Sequence, residues 1–384
     1  MKEGWEYKKL GEVCNIDFGT RVVRSRDAGS IYPVYGGGGT TFKMDTYNRE
    51  DCMVISRFGM SEQCTRFVKG RFFLNDSGLT LSMKKHCMIQ NYMDWQILYL
   101  NNTIYSLGRG AAQKNLDTKA LAEIVIAYPN NLSEQQSIVD YLDSAFAKID
   151  AMKANAEKAL NEAKALFQAS LKVMLEPKEG WEEKKIKDIC ETVTDFVAAG
   201  SFASLRENVV YNSEKDYAQL VRTTDLKSGF SKGGYVYVNE HAFNYLYRVN
   251  LNEECVILPN VGVNCGEVYY VTPSILPYNN NVLGPNAVLV RSKNYSNHFL
   301  SYLFLGNEFQ TKLGDITSHM AQPKFNKTGL KEIEISVPPL SEQQSIVDYL
   351  DSLKSKVDRL QENYDKISQE CDALKQAMLR QIFE

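Results

Sequence analysis

The side chains that most often perform chemistry are sparse in this chain and poorly spaced for it. The four histidines, His86, His241, His298 and His319, never stand at the His-x-x-x-His spacing of a helical zinc site. Eight cysteines, at 14, 52, 64, 87, 190, 255, 265 and 371, form no Cys-x-x-Cys pair. They read as reduced thiols, not a disulfide framework or a zinc site. The run Gly36–Gly39 is flanked by strand-like sequence. A phosphate cradle needs a following helix N-terminus, so the run reads as a tight turn or a close backbone approach. The chain lacks GxxxxGK[ST], GxSxG and the Asp/Asn-Pro-Pro-aromatic tetrapeptide of adenine methyltransferases. A Cys–His hydrolase assembled only by folding stays open. The residue pattern therefore points to little chemistry within this chain.

Repeats dominate the organisation. LSEQQSIVDYLDS occurs at 132–144 and again, unchanged, at 340–352. KEGWEYKKLGEVC (2–14) returns as KEGWEEKKIKDIC (178–190), and AQKNLDTKALAEIVI (112–126) as AQPKFNKTGLKEIEI (321–335). A period of about two hundred residues is too long for a solenoid, so the repeated unit is a domain. Cys14 and Cys190 fall at matching positions after β-branched residues, as core residues do. The expected layout is a globular region at 1–131, a helix at 132–177, a second globular region at 178–339 and a second helix at 340–384. No run of eighteen apolar residues would cross a membrane, and the polar opening MKEGWEYKKL lacks a signal-peptide core. A cytoplasmic protein is expected. Net charge is −3 overall but +4 for 1–131, −2 for 132–177, −2 for 178–339 and −3 for 340–384. Only the first region carries a mildly basic footprint, weak support for a nucleic-acid partner.

Gly and Pro are absent from 133–175 and 341–383. An apolar seam of period 3.5 follows each identical segment. In the first it runs through Ile138, Ala145, Met152, Ala159 and Leu166, interleaved with Leu142, Ile149, Ala156, Ala163 and Ser170. In the second it runs through Ile346, Leu353, Leu360, Ile367 and Leu374, interleaved with Leu350, Val357, Tyr364, Cys371 and Met378. Each helix would be about 65 Å long at 1.5 Å per residue. Ser133 with Gln136, and Ser341 with Gln344, have capping-box spacing. One seam is rich in small residues and the other in bulky ones, which suits an antiparallel pairing of the two helices; independent helices or a homodimeric coiled coil are the alternatives. Outside the seam the identical segment presents Val139 and Tyr141, then Val347 and Tyr349, as one partner surface offered twice or as a wider intramolecular stripe.

The globular regions read as mixed and strand-rich, an α+β class. Strands are expected within 31–44, 52–59, 71–83 and 120–128, with a helix over 93–107. In the second region strands are expected within 217–226, 233–240, 255–262, 266–271 and 287–292, with a helix over 297–314.

This order of parts resembles the specificity subunit of type I restriction–modification enzymes. The resemblance covers the whole chain. It is carried by the W-x-x-K-K-[LI]-x-[DE]-[VI] opener (Trp5–Val13, Trp181–Ile189), YPVYGGGG at 32–39, the AQ…L..I.I strand before each helix, and PPLSEQQSIVDYLD at 338–351. The first copy departs with YPNNLSEQQ, and the second globular region lacks YPVYGGGG, so the resemblance maps no further positions between the heads. It implies two target recognition domains separated by two long antiparallel coiled-coil helices, a pseudo-two-fold tandem repeat. It further implies a non-catalytic reader of bipartite double-stranded DNA with no metal or cofactor of its own, two docked adenine methyltransferase subunits, and restriction/translocase subunits joined through them. S-adenosylmethionine, ATP and Mg²⁺ would belong to those partners. Basic residues in Gly- or turn-rich stretches are then the candidate DNA contacts: Arg21, Arg24, Arg26, Lys43, Arg57, Arg66 and Arg109 in the first head. The second offers Arg222, Lys227, Lys232, Arg248, Lys324 and Lys327, with Asn260, Asn264 and Gln322 as possible base readers. Other readings are a two-headed adaptor for proteins and an orphan specificity subunit without nuclease partners.

Overall fold

The computed structural model describes residues 4–84, 88–111, 113–318 and 322–384. His86, Cys87 and His319 lie outside the described residues, as do the first residues of the opener and both alanines of the AQ pairs. The chain divides into two compact units, 1–158 with 363–384, and 159–362. Each unit therefore holds one head and turns of both long helices.

In the first unit the opener forms strand β1 (Trp5–Lys9), which runs antiparallel to β2 (Val125–Pro129), with Trp5 opposite Pro129. Two sequence repeats thus meet in one ribbon. The head is a six-stranded sheet in the order Cys14–Phe18, Gly78–Met83, Arg49–Ser56, Thr65–Leu74, Tyr32–Tyr35, Thr40–Met44. The first four strands are antiparallel neighbours; Tyr32–Tyr35 joins parallel to Thr65–Leu74. The expected strand over 71–83 is instead the end of one strand, a turn at 75–77 and the next strand. Helices Gln90–Tyr99 and Asn101–Ser106 supply Tyr92, Met93, Ile97 and Ile104 to a core shared with Ile55 and Leu79 of the sheet. Val139, Leu142 and Phe146 of the first long helix complete it, together with Leu379 and Phe383 of the second. Lys375 pairs with Asp150, and Lys153 with Asp372 at 3.5 Å, so the two helical segments run antiparallel within this unit.

The second unit repeats the plan. Its opener strand Glu182–Lys185 is antiparallel to Glu334–Val337. Four strands follow the order Thr192–Asp195, Ala287–Arg291, Cys255–Pro259, Tyr269–Val271, all neighbours antiparallel. This matches the first four strands of the first head. A separate three-stranded sheet, Val236–Val238, Ala218–Val221, Asn281–Leu283, repeats the pairing of Thr40–Met44, Tyr32–Tyr35 and the end of Thr65–Leu74, an antiparallel pair joined by a parallel third strand, but is not continuous with the four-stranded sheet. Helix Asn297–Leu305 is capped by Ser296, whose Oγ accepts the Phe299 N–H at 3.2 Å. Leu171 and Leu175 share a core with Ile346, Val347 and Leu350, and Lys164 Nζ donates to Gln361 Oε1 at 2.8 Å. Here too the helical segments are antiparallel.

The long helices span Leu132–Met174 and Leu340–Phe383. Their starts differ from the expected capping box. Asn131 caps the first: its Oδ1 accepts the Ser133 N–H at 2.8 Å. The second begins with the Glu342 N–H bonded to Pro339 O at 2.9 Å. Gln136 and Gln344 reach forward instead, to Asp140 at 2.7 Å and Asp348 at 2.8 Å. One seam row of the first helix is also displaced by a residue. Val139, Phe146 and Leu160 are buried, whereas Met152 and Leu166 are 61% and 58% exposed. An apolar residue stands on both candidate rows at the start of the helix, and the head core selects the row that faces it.

Candidate nucleic-acid interface

Each head turns sharply just after its central strand, and the repeated AQ segment closes that turn. In the first head the strand ends at Ser56, and Leu116 N–H donates to Arg57 O at 2.8 Å. Phe58 bridges Asn115, and Gly59 follows at φ +59°. In the second the strand ends at Pro259, and Phe325 N–H donates to Asn260 O at 3.2 Å. Val261 bridges Lys324, and Gly262 follows at φ +90°. These φ values favour glycine. A side chain at 59 would stand 3.0 Å from the Gln113 amide nitrogen, and one at 262 would stand 3.6 Å from that of Gln322. The two turns thus share, in the same order, a backbone bridge, a positive-φ glycine and a nearby glutamine amide, although their sequences share only the glycine and the glutamine.

Around the first turn the structure gathers three of the expected cations. The Arg57 guanidinium lies over Phe18 at 4.7 Å and Phe58 at 4.5 Å. Gly108–Arg109 pairs with Asn115–Leu116, which brings Arg109 to the same edge, where it pairs with Asp117. Arg66 is half-buried and donates to Gly37 O and to Ser56 Oγ; burial pulls its pKa down. It holds the glycine run, which is a tight turn closed by Gly36 N–H to Gly39 O at 2.9 Å. Arg21 follows Thr20, whose N–H bonds Leu74 O beside the 75–77 turn. Arg24 and Arg26 sit on the short helix Arg24–Asp27, Arg26 paired with Asp27 at 2.8 Å, and Lys43 is exposed on an edge strand. Among the described residues, the contacts that gather Arg57, Arg66 and Arg109 do not extend to Arg24, Arg26 or Lys43.

The second head gathers a different set. Lys227 Nζ donates to Asn264 Oδ1 at 2.6 Å and to Glu267 at 2.7 Å. Gln322 and Lys324 are exposed against the turn at 261–262, and Val263 at its tip is 96% exposed. Three of the expected contacts are held by groups of the head itself. Asn260 is 9% exposed and donates to Phe325 O at 3.2 Å, so it shapes the turn. The Arg222 fork is filled by Asp225 Oδ2 at 3.0 Å, Oδ1 at 2.7 Å and Gly234 O at 2.9 Å, and Asp225 raises its pKa. Lys327 pairs with the largely buried Asp195 at 2.8 Å. Arg248 lies against Tyr247, and Lys232 is exposed in the turn before Gly234. The sequence reading missed Gln113, Val263 and the Phe18–Phe58 support of Arg57; only the AQ repeat pointed to Gln113.

The helix starts present a second candidate surface. Val139 and Val347 are 1% and 3% exposed within the two cores, so neither faces a partner. Their side chains point toward the heads because the core row includes them. Tyr141 and Tyr349 are 54% and 47% exposed. With Gln136–Asp140 and Gln344–Asp348 they form the same polar–aromatic face in both units.

Among the described residues, no three His, Cys, Asp or Glu side chains are placed to hold a metal ion. Burial pushes the thiols of Cys52 and Cys255 up to about 11 and about 12, far from a nucleophile's range. A groove of about 730 Å³ in the first unit is lined by Asp94, Trp95, Phe146 and Lys375. No helix among the described residues is long and apolar enough to cross a membrane.

Comparison with known proteins agrees across the chain. Residues 2–162 and 178–369 match the family described as type I restriction modification DNA specificity domain. The EcoDI specificity subunit of a type I restriction enzyme from Escherichia coli is 21% identical, the alignment covering 99% of this chain and 88% of that protein. A chain solved in work on complex assembly and conformational transition of the type I R-M system shares the fold at a TM-score of 0.70 and 15% identity, covering 99% of this chain and 97% of that one. The HsdS subunit from Thermoanaerobacter tengcongensis follows at 0.51 and 16%, covering 100% and 97%.

Proposed function

Because the chain belongs to the family of type I restriction–modification DNA specificity domains, we propose that each of its heads reads one half of a bipartite duplex target. The observation that supports this is the paired turn: one backbone frame, with Arg57 and Phe58 on it in the first head and Val263 and Lys324 in the second. A shared frame with unlike side chains is what two unlike half-sites require, since phosphate contacts position a reader and base contacts specify. The matched faces around Tyr141 and Tyr349 dock two copies of a DNA methyltransferase subunit, and restriction subunits join through these. S-adenosylmethionine, ATP and Mg²⁺ act on those partners. The long helices serve as the coiled-coil spacer.

The test is to assemble the chain with its methyltransferase partner and titrate duplex DNA at several salt concentrations. The expected result is sequence-specific binding whose affinity falls steeply with salt, as phosphate contacts demand, and methylation of one two-part sequence. Equal affinity for unrelated duplexes, with protein partners bound by the heads instead, would sink this reading in favour of a protein adaptor.

A further inference from the structure

The heads share one exposed side chain in one place. Gln113 and Gln322 are the glutamines of the two AQ repeats, and both are exposed. Each lies beside the positive-φ glycine of its turn, Gly59 or Gly262. Each stands two residues before the residue that bridges the turn, Asn115 or Lys324. Among the described residues neither side-chain amide is held in a hydrogen bond, and each amide nitrogen lies against a glycine that has no side chain to cover it. Lys114 follows Gln113, and Lys324 stands two residues after Gln322.

Recognition residues that differ between heads can distinguish half-sites; a residue fixed in both cannot. What both half-sites offer in common is a target adenine and the sugar–phosphate backbone, and the lysine close in sequence to each glutamine favours the backbone. A neutral amide N–H is a suitable donor to a phosphate oxygen and carries no sequence information. We infer that Gln113 and Gln322 are matched backbone contacts, one per head, that seat each head on the duplex without reading it. This rests on the DNA-reading function proposed above.

The experiment uses the full chain assembled with its methyltransferase partner, the wild type beside Gln113→Ala, Gln322→Ala, Gln113→Glu and Gln322→Glu. The probes are a duplex carrying the methylated target and a scrambled duplex. Each alanine variant should weaken both duplexes by the same factor, roughly tenfold for a lost hydrogen bond to a charged group. The slope of log affinity against log salt should not change, because no charge is lost. The methylated sequence should stay the same. Each glutamate variant should bind more weakly than its alanine counterpart, because a carboxylate would face phosphate. A base pair that becomes degenerate in one half-site would make the glutamine a base reader and overturn the inference. A glutamate variant that binds like the wild type would reduce the side chain to a filler of the turn. A wild-type complex with no sequence preference would remove the DNA-reading function itself, and the inference with it.

Discussion

Arg57 shows how a single residue acquires a task. An arginine on a free turn is solvated and mobile, but two aromatic rings hold this guanidinium in one place and reduce the entropy lost on contact. Arg57→Ala should weaken binding of the assembled complex to its target by about 1–3 kcal/mol and leave the complex intact by size-exclusion. Asp94 is a different case. Burial raises its pKa to about 6, against the opposing bond from Gln90 Nε2 at 2.9 Å. A raised carboxyl favours folding while protonated, below the unfolded value near 3.8, and that contribution is lost as pH rises through about 6. Asp94→Asn should therefore raise stability at pH 8 by up to about 3 kcal/mol. The gain should shrink toward pH 4; thermal melts across that range check it.

At the scale of elements, the identical segment is explained mostly by what it buries. Gln135 and Gln343 are 0% and 2% exposed, and each donates to the carbonyl of the proline at the foot of its unit, Pro129 at 2.8 Å and Pro338 at 3.2 Å. Asp143 accepts the Trp95 indole N–H at 3.0 Å, and its repeat mate Asp351 accepts the Tyr302 hydroxyl at 2.6 Å. Gln135 also accepts the Ile89 N–H at 2.9 Å, whereas among the described residues the buried Gln343 oxygen has no hydrogen-bond partner. Gln135→Ala should thus cost about 1–3 kcal/mol and more than Gln343→Ala, read as faster amide exchange at 126–128 than at 335–337. Such roles were half legible. Period and repeats located both helices, because helical spacing and self-similarity are local in sequence. The row facing each head was not legible, since Ile138 and Val139 are both apolar and only tertiary packing chooses between them. The paired turn was hidden for a similar reason: Gly59 and Gln113 are distant in the chain, as are Gly262 and Gln322.

For the whole molecule the proposed reading makes stoichiometry a matter of two faces. Tyr141→Asp or Tyr349→Asp should each leave one methyltransferase subunit bound, and the double variant none, by native mass spectrometry. Either exposed tyrosine is far enough from its core to spare folding. Spacing is the other global quantity. Asp150–Lys375 and Lys153–Asp372 set residue 155 opposite residue 370. Inserting four residues after Asn155 and four after Gln369 adds about one helical turn, 5.4 Å. The unspecified gap in the methylated sequence should grow by one or two base pairs while both half-sites stay unchanged; methylation mapping reads this directly. The division into units has a consequence for biosynthesis. The second unit is one continuous stretch, 159–362, whereas the first needs 363–384 to bring Leu379 and Phe383 into its core. On the ribosome, then, the head translated first waits with an open apolar flank until the head translated second has already been made. Nascent chains stalled near residue 362 should expose that flank to chaperones and proteases, and the order of maturation is the reverse of the order of synthesis.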